Sequence, residues 1–277
     1  MGSMDEFSRE QAILAALRST GRVTVVDLAS EFGVSTVTVR KDLESLERRS
    51  LLRRVRGGAV GVGASDEGSF ETRLRDARCR KQAIARAAAE LVRDGDVLAL
   101  DSSTTAFYLA SELLDRRNLV VVTNSLRVSM LLMEQSSARV LVLGGLLSRS
   151  ACSLVGLIGE TLCGRGRIAK GFFGVVGLSP TLGLMDISAE EAHMKRALAA
   201  ACDQVYGVFD SSKVRGFGLH PFVSPSMVTG LYTDDAVPPS FVAEWGQLSV
   251  PVAAVPTSSG PTNVFSLSTV GRPAHHR

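Results

Sequence analysis

The sequence predicts an α/β protein with two domains: a small, mainly helical N-terminal domain and a larger domain built on a doubly wound, mainly parallel sheet. Three observations support this fold class. Apolar residues make up 45% of the 277 residues, which is enough to build a core. Residues 5–62 are densely charged and carry helical periodicity. Residues 81–252 alternate short apolar runs with amphipathic segments, as strands and helices do in a parallel sheet.

The domain boundaries follow from composition. Residues 57–65 consist of glycine, alanine, valine and serine, a mixture that packs no core. We therefore expect a linker over residues 63–80, between a first domain of residues 5–62 and a second of residues 81–252. Residues 253–277 are rich in proline, serine, threonine and valine without periodicity, and we expect a disordered tail there.

Composition also excludes several classes of protein. The apolar runs are strand-sized and far shorter than the roughly 20 residues that a membrane-spanning helix needs. The four cysteines (Cys79, Cys152, Cys163 and Cys202) form no C-x-x-C pair, so we expect neither a metal site nor a disulfide scaffold, and no cofactor. The sparse cysteines and the short polar N-terminus, which does not resemble a signal peptide, favour a cytoplasmic protein.

The N-terminal domain is predicted to contain a helix-turn-helix. Apolar residues on one face predict a helix over residues 8–18 and a shorter one over residues 25–32. Gly33 then allows a tight turn, and Ser35 is an N-cap for a third helix that ends near Arg48. A short helix, a glycine turn and an exposed helix in this order are typical of the motif.

Polar and basic side chains cover the outer face of the third helix, because Val39, Leu43 and Leu46 recur at i, i+4 and i+7 and face inward. Between residues 35 and 58, seven cations and three anions leave a local charge of +4, more than the +3 of the whole chain. Residues 51–58 are predicted to form a basic β-hairpin wing. We therefore predict DNA binding, with base and phosphate contacts from the third helix and phosphate contacts from the wing. The residues are Ser35, Thr36, Thr38, Arg40, Lys41, Arg53, Arg54 and Arg56.

A family resemblance appears at these residues. The segment LASEFGVSTVTVRKDL, at residues 28–43, and the later Arg56-Gly57-Gly58-Ala59 closely resemble the DNA-binding domain of DeoR-type bacterial transcription regulators. These proteins are mostly repressors of sugar-metabolism operons, so the resemblance implies double-stranded operator DNA as a partner. The family usually has two arginines before the Asp-Leu pair. Here the second is Lys41, which keeps the charge and lacks the bidentate fork of arginine.

Strand-like and helix-like segments alternate regularly in the second domain. Apolar runs predict strands at residues 97–100, 119–122, 139–143, 171–176 and 204–209. Amphipathic segments predict helices at residues 81–93 and 189–201, and two more that end near residues 114 and 133. Strands that are apolar almost throughout, separated by helices, predict a parallel sheet covered on both faces.

Small polar residues follow these strands where each strand ends. Ligands of parallel sheets bind at the carboxyl ends of the strands, and the loop at residues 101–105 runs straight into a helix, whose N-terminus favours an anion. Asp101 and Asp210 are expected to accept hydrogen bonds from sugar hydroxyls. Arg73 and Lys81 either serve the ligand or lie at the surface. The residues predicted to bind a phosphate or a small anionic ligand are Asp101, Ser102, Ser103, Thr104, Thr105, Thr123, Asn124, Asp210 and Lys213.

The second domain resembles the effector-sensing domain of the same DeoR family over roughly residues 70–235. The resemblance rests on residues 101–105, 123–125, 144–145, 183–186, 191, 195 and 210–213. That domain is similar in fold to ribose-5-phosphate isomerases, glucosamine-phosphate deaminases and coenzyme A transferases. The resemblance implies a phosphorylated sugar effector with its phosphate on the 101–105 loop. Its secondary contacts would be Thr123, Asn124, Lys195 and Lys213. The family usually has glycine where Ser103 stands, and serine there either adds a donor or obstructs the ligand.

Two functions are compatible with these features. The first is a DNA-binding transcription regulator, a repressor of a carbohydrate-metabolism operon controlled by a phosphorylated sugar. We expect it to be a homo-oligomer, a dimer or a tetramer, because an operator with two-fold symmetry is bound by two DNA-binding domains. We expect no membrane partner. The alternative is a sugar-phosphate isomerase-like enzyme fused to a DNA-binding module, with Glu190 or Glu191 as the base. The fused DNA reader argues against it, so no catalytic residue is predicted.

Each polar cluster also has a purely structural interpretation. Serine and threonine commonly cap helices, and Glu191 and Lys195 are spaced for a salt bridge within one helix. His193 has no metal-like partner nearby in the sequence and is expected at the surface.

Overall fold

Three helices and a three-stranded sheet form the N-terminal domain. The computed structural model describes residues 5–20, 22–49, 51–55, 57–61, 69–156, 167–216 and 218–257. The elements are α1 (Glu6–Thr20), β1 (Arg22–Thr24), α2 (Val25–Phe32), α3 (Thr36–Arg48), β2 (Leu52–Val55) and β3 (Gly58–Gly61). The three predicted helices and the hairpin wing are confirmed. The sequence did not predict β1, which pairs with β3 in the antiparallel order β1-β3-β2.

Capping residues define the turn between α2 and α3. Gly33 ends α2 in the left-handed region at φ 64°, a conformation that glycine adopts without strain. Ser35 begins α3 in extended conformation, and its side chain accepts a hydrogen bond from the Thr38 backbone N–H at 3.1 Å. The sharp turn between the two helices is therefore encoded locally.

The apolar core of the N-terminal domain continues onto the second domain. Leu28, Val39 and Leu43 are buried in this core, as the predicted inward stripe requires. The same cluster includes Met185 and Ile187 of the second domain, together with Leu219. The two domains therefore pack against each other through apolar side chains.

A seven-stranded parallel sheet dominates the second domain. Its strands are β4 (Val97–Leu100), β5 (Val120–Thr123), β6 (Arg139–Val142), β9 (Ile168–Phe173), β12 (Cys202–Val208), β14 (Gly230–Asp234) and β15 (Val252–Val255). Its helices are α4 (Phe70–Arg75), α5 (Arg78–Ala89), α6 (Thr104–Glu112), α7 (Leu126–Gln135), α8 (Ala189–Ala200) and α9 (Pro239–Gln247). The strand order is β15-β14-β12-β9-β4-β5-β6, and two separate apolar clusters cover its two faces, as predicted.

This strand order brings together the loops that follow three neighbouring strands, and two of these loops were predicted. The strands β12, β9 and β4 are neighbours, and all run in the same direction. The loops that follow them at Asp210, Gly174 and Asp101 therefore meet at one edge of the sheet. The predicted strand at residues 171–176 lies at residues 168–173 instead, because Gly174 belongs to the loop that contacts Asp101.

Short antiparallel strands form two further sheets that the sequence did not predict. The strands β10 (Gly177–Ser179), β11 (Gly183–Asp186) and β13 (His220–Val223) form one sheet, and β7 (Leu146–Ser148) and β8 (Ser153–Val155) form a hairpin. These strands have three or four residues each, too few to show an alternating pattern.

The structure also corrects the predicted domain boundaries. Residues 69–80 were assigned to the linker, but α4 and the start of α5 lie there, and Phe70 is buried. Residues 253–255 were assigned to the tail, but they belong to β15 at the edge of the main sheet. Residues 62–68 and 258–277 lie outside the described part of the chain. Among the described helices, none combines the length and the apolar character that a bilayer span requires.

Candidate DNA-reading face and effector pocket

Helix α3 presents a polar and basic outer face. Ser35, Thr36, Arg40 and Lys41 are exposed, and Thr38 is half-buried. These are the five residues predicted on this helix, and the structure places them at its N-cap and in its first two turns. The hydroxyls of Ser35 and Thr38 lie 2.9 Å apart, so both also hold the start of the helix.

The wing is anchored to α3. The Arg54 backbone N–H donates to Glu47 Oε1 at 2.8 Å, and the Arg54 side chain is exposed. Arg56 and the side chain of Arg53, also predicted to contact phosphate, lie outside the described residues. The hairpin therefore carries at least one exposed cation beside α3, the helix predicted to contact the DNA bases, which we call the reading helix.

Two of the three acidic residues between residues 35 and 58 make hydrogen bonds within the N-terminal domain. Asp42 is buried and accepts two hydrogen bonds from the Arg9 guanidinium, at 2.8 and 3.1 Å. Glu47 accepts the Arg54 backbone N–H, which leaves Glu44 as the acidic residue on the exposed face of α3. Asp42 is therefore absent from the outer face, where Arg40 and Lys41 are exposed, and this arrangement favours contact with phosphate.

A cavity of about 410 Å³ lies at the carboxyl ends of β4, β9 and β12. Seven of the ten predicted effector residues line it: Ser102, Ser103, Thr104, Thr105, Lys195, Asp210 and Lys213. The other three, Asp101, Thr123 and Asn124, are buried behind its wall. The predicted polar loops at residues 101–105 and 210–213 therefore meet at one pocket of a size typical for small ligands, whereas the loop at residues 123–125 does not line it.

Lys195 is the centre of a buried ion cluster. Its ammonium lies 2.7 Å from Asp186 Oδ2 and 3.0 Å from Asp101 Oδ2, and it donates to the Gly174 carbonyl at 2.9 Å. Burial alone would lower the pKa of Lys195, but the two carboxylates outweigh it and raise that pKa above its ordinary value. The three protons of the ammonium thus have three acceptors within the protein.

Glu191 makes a separate buried network rather than the salt bridge that its spacing from Lys195 suggested. Its carboxylate accepts hydrogen bonds from Ser102 Oγ at 3.0 Å, from Asn124 Nδ2 at 3.4 Å and from Ser153 Oγ. Burial raises the pKa of Glu191. The network ties the 101–105 loop to α8 and to β8.

Lys81 was left as either a ligand residue or a surface residue, and the structure excludes the surface alternative. Lys81 lines the pocket with 5% of its surface exposed, and its ammonium donates to the Arg73 carbonyl at 2.6 Å. Burial lowers its pKa, and the nearby Asp210 opposes that shift. Within the described part of the chain, neither Lys81 nor Lys213 has an ion-pair partner. The sequence could not show that Lys81 faces the pocket, because its burial depends on the fold.

Ser103 has a structural role at the position where the family usually has glycine. It lies at φ −72°, which any residue adopts, and its hydroxyl caps α6 by accepting from the Ala106 N–H at 3.1 Å. A Cβ added to Gly174 would lie 2.3 Å from the Ser103 Cβ, so a glycine on the facing loop makes room for the serine. The serine therefore fits without backbone strain.

The pocket wall also contains residues of the N-terminal domain. Arg49, the C-cap residue of α3, and Leu51 both line the cavity. The Arg49 guanidinium lies 2.5 Å from Glu10 on α1. The reading helix therefore ends at the pocket, which the sequence did not predict.

An exposed reading helix on one domain and a ligand-sized pocket in the other place the protein among helix-turn-helix DNA-binding proteins with a sensor domain. The chain belongs to the DeoR family of transcription regulators. Residues 9–63 match the family model described as "DeoR-like helix-turn-helix domain", and residues 77–235 match "DeoR C terminal sensor domain".

Curated relatives of the chain are named as regulators of transcription. The chain is 32% identical over 244 residues to the "Glycerol-3-phosphate regulon repressor" of Escherichia coli K12, covering 87% of this chain and 95% of the relative. It is 30% identical over 231 residues to the "L-fucose operon activator" of Haemophilus influenzae, covering 83% and 92%. Because its relatives are named as regulators of transcription, the isomerase-like alternative is set aside.

Ribose-5-phosphate isomerase A from Neisseria gonorrhoeae is a structural neighbour at 15% identity. The alignment covers 49% of this chain and 53% of that chain, with a TM-score of 0.38.

Proposed function

We propose that the protein is a repressor of a carbohydrate-metabolism operon and that a phosphorylated sugar in the pocket controls its affinity for the operator. One observation supports this above all: the pocket is lined both by the polar loops of the sensor domain and by Arg49 at the end of the reading helix. A ligand that fills the cavity can therefore act on the placement of that helix. The relatives that regulate sugar-related operons support the same class of effector.

The chemistry of the pocket favours an anion. Among the described residues, Lys81 and Lys213 line it without an ion-pair partner, and the hydroxyls of Thr104 and Thr105 lie in the first turn of α6, whereas the Ser102 hydroxyl already donates to Glu191. The first N–H groups of a helix have no intrahelical acceptor, so this turn adds donors to the hydroxyls. A phosphate beside Lys81 would favour its charged form and so offset the cost of burying that ammonium.

The remaining predicted residues divide between ligand contacts and support. Asp210 lines the pocket and is suited to accept a hydrogen bond from a sugar hydroxyl. Asp101 does not line it, because its carboxylate accepts the Ser103 and Gly174 N–H groups and pairs with Lys195. We assign Asp101, Thr123, Asn124 and Lys195 to holding the loops in position and not to the phosphate.

Regulation requires the ligand to distinguish two arrangements of the domains. A ligand that binds both arrangements with equal affinity would not change the equilibrium between them. In the arrangement described here, Arg49 completes the pocket while apolar side chains hold the reading domain against Met185 and Ile187. A phosphorylated sugar that contacts Arg49 favours this docked arrangement. A homo-oligomer must place two reading helices one turn of DNA, or a multiple of it, apart. We propose that the docked arrangement does not give this spacing, so that the ligand lowers operator affinity.

A ligand panel tests the phosphate assignment. Triose, pentose and hexose phosphates, their unphosphorylated counterparts and inorganic phosphate are each added to the full chain. At a hundredfold excess over Kd, a bound ligand stabilises the native state by about 2.7 kcal/mol, which raises the melting temperature. We expect a shift with a phosphorylated sugar and none with its counterpart. Lys81→Met should weaken that binding about tenfold or more, because it removes a charge-assisted hydrogen bond.

Lys170→Met is the matched control, since Lys170 lies on β9 and pairs with Asp96 away from the pocket. Equal shifts with and without the phosphate, or unchanged binding by Lys81→Met, would contradict the assignment.

A second variant tests the coupling between pocket and reading helix. Arg49→Gln should reduce the ligand-induced melting shift without abolishing it, and should reduce the ratio of operator affinities measured without and with the sugar phosphate. The reason is that the variant removes the guanidinium at the pocket wall and leaves the sensor loops intact. Operator affinity is measured by fluorescence anisotropy at one salt concentration. Arg48→Gln, an exposed neighbour that does not line the pocket, is the control. If both variants keep the wild-type ratio, the coupling does not run through Arg49.

A further inference from the structure

The exposed face of α3 carries an apolar side chain among its cations. Val37 is 57% exposed in the first turn of the helix. Val37, Arg40, Lys41 and Glu44 recur at i, i+3, i+4 and i+7, so they share one face. Val39, Asp42, Leu43 and Leu46 form the opposite, buried face that packs on the domain core. Val37 thus lies on the side of α3 that faces away from the protein.

The hydroxyls of Ser35 and Thr38 are engaged within the helix start, whereas the Val37 side chain is exposed. Ser35 and Thr38 are within hydrogen-bond distance of each other, and Ser35 also caps the helix. Thr36 and Val37 are the remaining side chains of the first turn, and both are exposed. In a helix-turn-helix, the N-terminal residues of the recognition helix approach the base edges in the major groove.

We propose that Val37 is a specificity-determining residue that recognises thymine by packing on its C5-methyl group in the major groove. Thymine is the one standard base that presents a methyl group there, so an apolar side chain distinguishes it from the other three. The isopropyl group of valine offers no hydrogen bond to phosphate, and its contribution is therefore to sequence preference. Arg40 and Lys41 flank it on the same face and supply the charge that holds a polyanion against this surface.

The size of the effect follows from the area of one methyl group. Burial of a single CH₂-sized group favours binding about fourfold. Removing either the valine side chain or the thymine methyl should therefore weaken binding about three- to fivefold, and removing both should cost little more than removing one. Non-additivity of this kind is the result expected of a direct contact between the two groups.

The experiment begins with selection of duplexes from a random library by the full-length wild-type chain. Each thymine of the consensus is then replaced by uracil, which lacks the C5-methyl group and keeps the same hydrogen-bonding edge. We expect at least one thymine per half-site whose replacement weakens wild-type binding about three- to fivefold. Val37→Ala should bind the thymine and uracil duplexes equally, with the salt dependence of binding unchanged.

Val26→Ala is the matched control, because Val26 is 69% exposed on α2 of the same domain. This variant should keep the thymine–uracil difference of the wild-type protein. Arg40→Ala should instead weaken binding to both duplexes and flatten the salt dependence by about 0.9 per lost phosphate contact. Should Val37→Ala fail to fold, Val37→Ser is measured in its place. A consensus without a methyl-sensitive thymine, or a Val37 variant that keeps the wild-type difference, would overturn the proposal.

Discussion

Replacing Lys195 with alanine is expected to destabilise the sensor domain by about 3–5 kcal/mol, because the change leaves two carboxylates buried without their cation. Asp101 and Asp186 both lie within 3.0 Å of the ammonium. Burial raises the pKa of Asp186, but Lys195 outweighs that effect and the pKa of this carboxyl lies below its ordinary value. The stability that this lowered pKa contributes is present at neutral pH and is lost as the pH falls through the folded-state pKa of Asp186.

Chemical denaturation of the full chain measures this effect. Arg167→Ala is the control, since Arg167 and Asp203 form an exposed ion pair, and such pairs contribute about 0–1 kcal/mol. Adding Asp101→Asn and Asp186→Asn to the Lys195 variant should recover part of the stability. An unfolding curve for Lys195→Ala that matches the wild type would show that the cluster does not stabilise the domain.

Replacing Asp42 with alanine is expected to cost about 3–5 kcal/mol in the N-terminal domain, because it removes the buried carboxylate that accepts two hydrogen bonds from the Arg9 guanidinium. The hydrogen bond to Asp42 raises the pKa of Arg9 in spite of burial. The pair also holds α1 against α3, with N···O distances of 2.8 and 3.1 Å. Loss of this contact should abolish operator binding, since the reading helix depends on it for its position.

Asp42→Ala is expected to affect the N-terminal domain and not the sensor domain, and the unfolding transition and the ligand-induced melting shift measure the two separately. Asp42→Ala should lower the unfolding transition of the N-terminal domain and keep the melting shift caused by the sensor ligand. Glu44→Ala, two residues along on the exposed face of α3, should leave that transition within about 0.5 kcal/mol of the wild type. Operator binding by Asp42→Ala at wild-type affinity would contradict the structural role of the pair.

Local signals account for the elements that the sequence predicted well. Gly33 and Ser35 mark the turn between α2 and α3, and the apolar stripe through Val39 and Leu43 orients the reading helix. The strands of the main sheet were predictable because their apolar runs are bounded by turn residues. By contrast, β1 has three residues, and it exists because of its pairing with β3, about 35 positions further along the chain. No local pattern specifies a partner at that distance.

The same distinction applies to the boundaries that had to be corrected. Helix α4 has six residues and lies next to a glycine-rich stretch, yet Phe70 is buried and stacks edge-on against Phe107 of α6. Likewise β15 is a strand because β14 pairs with it. Short segments with weak propensity take their structure from the surface on which they pack, and that surface is formed by residues far away in sequence.

The amino-acid sequence by itself determined the helix-turn-helix, the alternation of strands and helices, and the polar loops at the strand ends, since periodicity, caps and turns are properties of neighbouring residues. Only the tertiary structure decided which of those polar residues line the pocket. In the folded chain Lys195 pairs with Asp101 and Asp186, and Arg49 lies at the pocket wall. Lys81 is buried there with no carboxylate partner among the described residues. Ion pairs and burial arise from contacts between segments that are distant in sequence. The sequence therefore could not show that Lys195 supports the loops while Lys81 faces the pocket.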